Sequence, residues 1–147
     1  MTLRAVAPPL PVGPTWGAYT LSANQTTGLA VGSPIRLDTV MGGNLPISSY
    51  TVQLPAEGVF RLAASVLPIF SGGGKLEFSW YNVTAGAYVG IRGYILPPTN
   101  GANNGVQPTA YGILTTTQPT PVQLRLAAAN LLSSINTASY AEIMQIE

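Results

Sequence analysis

Glycine and proline, 16 and 13 of them, cut this 147-residue chain at short intervals into runs rich in Val, Ile, Leu, Tyr and Thr. Such punctuation marks many short strands joined by turns, which close into a sandwich or a barrel. In "KLEFSWY", Leu76, Phe78 and Trp80 alternate with Lys75, Glu77, Ser79 and Tyr81. That is the two-residue period of a strand with one wet face. "SGGG" at 71–74 reads as a flexible turn before this strand, and "NVTAG" at 82–86 as the turn after it, leading into "AYVGIRGYIL". The stretch "FSWYNVTAGAYVG" is therefore a hairpin, with aromatic side chains filling a core on one face and meeting neighbours on the other.

"EGVFRLAASVLP" sets Phe60, Leu62, Ala64 and Val66 against Val59, Arg61, Ala63, Ser65 and Leu67. Both sets are largely apolar or small, which predicts a central strand covered on two sides. A single sandwich core covers only one side, and a symmetric homo-oligomer is the simplest cover for the other. "SPIRLDTV", "TVQLP" and "AYGILTTT" are shorter strand candidates, and "PPTNGANNGVQP" at 97–108 is a loop of turn formers. "TPVQLRLAAANLL" is ambiguous. Leu, Arg and Ala favour a short helix, whereas Pro119, Pro121 and the alternation of Val122, Leu124 and Leu126 with Gln123 and Arg125 favour a strand. The C-terminal "ASYAEIMQIE" alternates again, and such a strand is expected to pair centrally, since a hydrophobic edge invites aggregation.

The chain has no Cys and no His, which removes thiol and imidazole catalysis, disulfides and Cys/His zinc sites. The carboxylates Asp38, Glu57, Glu77, Glu142 and Glu147 are scattered over different strands, so no acid and base pair is apparent in the spacing. "SGGGKL" lacks the phosphate-loop frame, because Leu76 follows Lys75. The sequence thus points to a protein that is not an enzyme and takes no cofactor or metal. A net charge of +1 without clustered Lys and Arg disfavours nucleic acid. No apolar run reaches the roughly 18 residues of a membrane helix, which disfavours a membrane partner. Charged residues make up only 7% of the chain, against roughly 25% in an average soluble protein. Burial of much surface against other chains accounts for that poverty.

The order of pieces resembles the jelly roll of the tumour necrosis factor and complement globular-head superfamily, over nearly the whole chain from about Trp16 to Glu147. "LPAEGVFRLAASV" is similar to that family's Pro-x-x-Gly-x-aromatic strand, and "SYAEIMQI" to its closing strand with a leading Tyr. "WGAYTLSAN" resembles its first strand and "PIRLDTV" its second. The resemblance implies an all-β antiparallel sandwich of about ten strands, packed as a homotrimer around a threefold axis. Carried onto this sequence, Ala141 and Ile143 face the core, while Tyr140, Glu142, Met144 and Ile146 face partner chains. Arg61, Ala63 and Ser65 face the axis, joined by Tyr111. Arg61 and Glu142 depart from the family, where apolar residues are common. Either the two pair across subunits or the register is shifted by one.

Residues 1–15 are expected to form an extended arm ahead of a jelly-roll domain at 16–147. "APPLPVGP" is too rich in proline for a helix and favours polyproline II. It is either a tail or an arm that docks on another protein, with Leu3, Arg4, Pro8, Pro9, Leu10 and Pro11 as its contact residues. Free-standing trimers of this fold with low charge and a short arm resemble the decoration, or cement, proteins of tailed bacteriophage capsids. What that resemblance implies is a structural virion protein, made in the host cytoplasm, that binds the major capsid protein on the outer capsid surface at threefold positions. The alternative is a receptor- or glycan-binding head of a tail fibre or surface filament, in which Tyr81, Tyr88, Tyr94 and the "TNGANNG" loop meet the ligand.

Overall fold

The computed structural model describes residues 13–96 and 106–147. The elements are β1 (Trp16–Thr20), β2 (Thr39–Gly43), β3 (Ile47–Ser48), β4 (Thr51–Leu54), β5 (Gly58–Ser65), β6 (Pro68–Asn82), β7 (Ala87–Ile95), β8 (Thr109–Thr116), β9 (Thr120–Ile135) and β10 (Tyr140–Gln145). No helix occurs among the described residues, and every named strand pairing is antiparallel. The strands run in the order β2, β1, β10, β5, β8, β7, β6, β9, β4, β3. Folded on itself, this order makes two layers of a jelly-roll sandwich, β2 to β8 in one and β6 to β3 in the other, with β7 at the corner. Gly90 makes the corner possible. Its φ is +75°, and a Cβ there would strike the carbonyl oxygen of Tyr111, so only glycine lets β7 approach β8 this closely.

The alternation seen in the sequence becomes the core. Phe60, Leu62 and Ala64 from β5, Leu76, Phe78 and Trp80 from β6, Leu124 and Leu126 from β9, and Ala141 and Ile143 from β10 are all buried between the layers. Each large side chain among them stabilises the sandwich by roughly 1.5–3 kcal/mol. Trp80 fills the most volume of these, although its indole N–H finds no partner among the described residues. As expected, β10 is not an edge. It lies between β1 and β5.

Two local expectations change, and one ambiguity is settled. "SGGG" is not a turn: β6 runs through residues 71–74, which bulge out between the pairs Phe70↔Leu132 and Lys75↔Asn130. Only Leu131 opposes them, at φ 51°. The long β9 holds both ends of the bulge in register, so the glycines bend the strand without ending it. The "QLRLAAANLL" stretch is strand throughout, because β4 and β6 supply its backbone partners and override its helix propensity.

Finally, "PIRLD" is not the second strand, which begins at Thr39. Pro34 forms one isolated bridge to Arg125, flanked by hydrogen bonds from the Ile35 N–H to the Leu124 carbonyl and from the Leu126 N–H to the Ser33 carbonyl. The buried Gln25 takes over. Its Nε2 donates to the carbonyls of Gly28 and Pro34, and its Oε1 accepts the Arg36 N–H.

Candidate functional site

Strands β1, β10, β5 and β8 lie side by side, and their register stacks outward residues into three rungs. The first is Trp16, Met144, Arg61 and Ile113. The second is Ala18, Glu142, Ala63 and Tyr111, extended by Ile91 of β7. The third is Thr20, Tyr140, Ser65 and Thr109. The inward residues of the same strands are buried except Leu114 and Gln145, which are partly so, whereas Tyr111 is 43% exposed, Ile113 52% and Ile91 72%. Trp16, Met41, Tyr140 and Met144 are also exposed. These large side chains share one continuous sheet face. Contiguous apolar surface of that kind marks an interaction site.

Of the residues implicated by the sequence, Arg61, Ala63, Tyr111, Tyr140, Glu142 and Met144 come together on this face. Ile146 lies just past the end of β10, exposed, with its N–H on the Val59 carbonyl. Ser65 holds the expected rung position but is closed off within its own chain, 5% exposed, with its hydroxyl 3.4 Å from Gln107 Oε1. In the single chain it offers far less surface than Tyr111. Leu3, Arg4, Pro8, Pro9, Leu10 and Pro11 lie outside the described residues. Trp16, Ile91 and Ile113 were missed, and Ile113 had a signal: two residues past Tyr111 on a strand, it must share that residue's face.

The charged pair resolves its own ambiguity. Arg61 Nη2 donates to Glu142 Oε1 at 2.7 Å within one chain, and Ala141 and Ile143 point inward, so the register is not shifted. Arg61 Nε is buried without a partner among the described residues. Beside the pair, Ala18, Thr20, Met41, residues 137–139, Tyr140 and Glu142 line a groove of about 370 Å³.

The outward face of the second layer is built differently. The Arg125 guanidinium sits 4.0 Å from the Tyr81 ring centroid, and Tyr81 meets Tyr88 edge to face at 5.0 Å. Arg92 lies 5.0 Å from the Tyr88 ring and donates to Glu77 at 3.0 Å. Lys75 pairs with Glu77 at 3.0 Å and lies 5.9 Å from the Tyr94 ring. Tyr88 also donates its hydroxyl to the Leu126 carbonyl, tying β7 to β9 across β6. The hydrogen bond from Lys75, followed by that from Arg92, holds the Glu77 carboxyl below its ordinary value of 4.5. Tyr81, Tyr88 and Tyr94 are thus brought together. The "TNGANNG" loop lies outside the described residues.

The other carboxylate with a displaced titration is Asp38, lowered chiefly by the Ser22 hydroxyl, 2.6 Å away, on the loop before β2. Burial pushes the Tyr19 phenol up, and its hydroxyl donates to the Leu45 carbonyl inside the sandwich.

No family model matches the sequence, and no curated protein matches it. Solved structures do. Murine APRIL is 12% identical with a TM-score of 0.62, covering 90% of this chain and 99% of its own. Eiger TNF from S. frugiperda is 9% identical with a TM-score of 0.67, covering 91% and 93%. The globular domain of zebrafish complement 1qA is 10% identical with a TM-score of 0.59, covering 89% and 97%. At these identities the likeness is one of fold, the all-β jelly roll of the TNF and complement heads.

Proposed function

We propose that this chain is a non-enzymatic structural protein that closes into a homotrimer through the outward face of β1, β10, β5 and β8, and decorates the outer surface of a viral capsid. The observation that carries the trimer is the three-rung face, where Trp16, Tyr111, Ile113, Tyr140 and Met144 stand exposed around a single ion pair. Covering such residues in a homo-oligomer withdraws apolar surface from water at roughly 25 cal/mol per Å². The adjacent groove at Met41 and Tyr140 offers a socket for side chains of the neighbouring copy. The non-enzymatic part rests on the absence of Cys and His from the sequence and on how the carboxylates are engaged. Glu77 and Glu142 are held by cations and Asp38 by Ser22.

The capsid platform rests on the resemblance of a low-charge chain with a proline-rich arm to decoration proteins. Such a trimer stabilises a shell by binding the assembled state and not the open one. Light scattering on the purified protein tests the first step and is expected to return three chains per particle. Cosedimentation with capsids, with and without residues 1–14, tests the second. A single-chain mass rejects the trimer, and failure to sediment with any capsid rejects the platform. A receptor- or glycan-binding head is the second reading, favoured by the clustering of Tyr81, Tyr88 and Tyr94 on the outward face of the second layer.

A further inference from the structure

Three of the six cations in the sequence, Lys75, Arg92 and Arg125, stand on the outward face of β7, β6 and β9, with Glu77 as the carboxylate among them. Around Arg61 the other face is balanced by Glu142. The charge of a nearly neutral chain is therefore unevenly distributed, and this face carries the excess of positive charge. Order adds to it. Arg125, Tyr81, Tyr88, Arg92, Glu77, Lys75 and Tyr94 form an unbroken series of side-chain contacts that runs across the three strands. Rings hold the cations in place, so little further side-chain entropy is lost when a ligand pairs with them.

We propose that this face binds an extended anionic polysaccharide, with Lys75, Arg92 and Arg125 pairing to its acidic groups and Tyr94 stacking on a sugar ring. The site rests on the second reading above for its ligand class and is independent of trimer formation. Several features favour a polysaccharide over an acidic protein segment. Lys75 and Arg92 flank the Glu77 carboxylate while Arg125 stands beyond Tyr81 and Tyr88, so positive charge is presented at two places along the face, which suits a repeating polymer better than a single anion. The exposed side chains Ile91, Ile113 and Met144 belong to the opposite sheet face, and the exposed aliphatics of β6 and β9, Ile69 and Leu131, are not members of this series of contacts. Tyr94 is 48% exposed, and a half-open ring offers an apolar platform with a polar tip. Lys75 and Arg92 side chains are 42% and 48% exposed, so both reach solvent.

The test compares the whole protein with a Lys75→Gln, Arg92→Gln, Arg125→Gln variant against three probes: alginate, neutral dextran and polyglutamate. Native protein is expected to bind alginate, to ignore dextran, and to lose at least about tenfold in affinity between low salt and about 0.5 M salt, because exposed charges are screened. The triple variant is expected to keep its trimer mass and lose alginate. Tyr94→Ala is expected to weaken alginate binding by about tenfold through lost stacking. Absence of alginate binding by the native protein overturns the proposal, as does undiminished binding by a folded triple variant. Equal affinity for polyglutamate makes an acidic peptide the partner and also overturns it. If dextran binds as well as alginate, the glycan-binding reading survives while this site does not. Should the triple variant fail to fold, Arg92→Gln alone, whose side chain is half exposed, gives the same comparison at smaller amplitude.

Discussion

On the outward face of β10, β5 and β8, Tyr140, Met144, Tyr111 and Ile113 stand exposed around one Arg–Glu pair. On the outward face of β7, β6 and β9, each of Tyr81, Tyr88 and Tyr94 lies against a cation. Both faces belong to alternating antiparallel strands, so strand geometry alone does not separate them. What separates them is whether the large side chains find partners inside the chain. The first face leaves its rings and aliphatics open, which suits a surface completed by another copy. The second is already satisfied along its length, and its cations remain available to solvent.

The strongest way to break this contrast is Tyr111→Asp, which places an unpaired charge at the middle rung. We expect the trimer to be lost, read as a fall to single-chain mass in light scattering. The single chain should melt almost as before, because Tyr111 is 43% exposed within it. A trimer that survives this change would move the interface elsewhere.

Glu142→Gln is the next largest. In an isolated chain the Arg61–Glu142 side chains are 36% and 42% exposed, so the pair is worth no more than about 1 kcal/mol. Inside a closed trimer, where Arg61 would be left as a desolvated charge, the same change should cost about 3–5 kcal/mol. Denaturation over a range of protein concentrations separates the two cases. Equal small effects at all concentrations would mean that the pair never leaves water.

Tyr88→Phe probes the second face. It removes the hydrogen bond to the Leu126 carbonyl and keeps the ring, for an expected loss of about 0.5–1.5 kcal/mol in urea denaturation. Its effect should not depend on protein concentration, since the contact lies within one chain.

The smallest effect is the acid response of Glu77. Its folded pKa is lowered from 4.5 by the hydrogen bonds from Lys75 and Arg92. The stabilisation is therefore complete above 4.5 and fades as pH falls through the lowered folded value. The urea midpoint of the native protein should drop more steeply than that of Glu77→Gln below about pH 4.5. Asp38, also lowered, will leave a residual slope in the variant. Identical slopes would show that the Lys75–Glu77–Arg92 contacts do not persist in solution.

Local alternation made much of this molecule readable. Phe60, Leu62 and Ala64 share one face of their strand by period alone, as do Leu76, Phe78 and Trp80, while Ala141 and Ile143 are placed in the core by the resemblance; all are buried. Alternation also sets Arg61 and Ala63 on the opposite face of their strand, and the resemblance sets Glu142 and Met144 there. Where reading failed, a distant segment decided. "SGGG" has every mark of a turn, yet β9 carries the strand past it. Ser65 follows the alternation of its strand and is still covered by Gln107, 42 residues away. Gln25 shows no pattern at all, and it organises the loop that replaces the expected second strand.

The sequence by itself determined which side of each strand is apolar, how often the chain must turn, and how little charge it has to spread over its surface. These are properties of near neighbours, and a two-residue period expresses them without knowledge of the fold. Only the tertiary structure decided that Arg61 reaches a carboxylate 81 residues away, that three tyrosines and three cations fall into one series, and that the open rungs line up across β1, β10, β5 and β8. Strand order and register are set by the best joint packing of all ten strands, and no single stretch of chain contains that information.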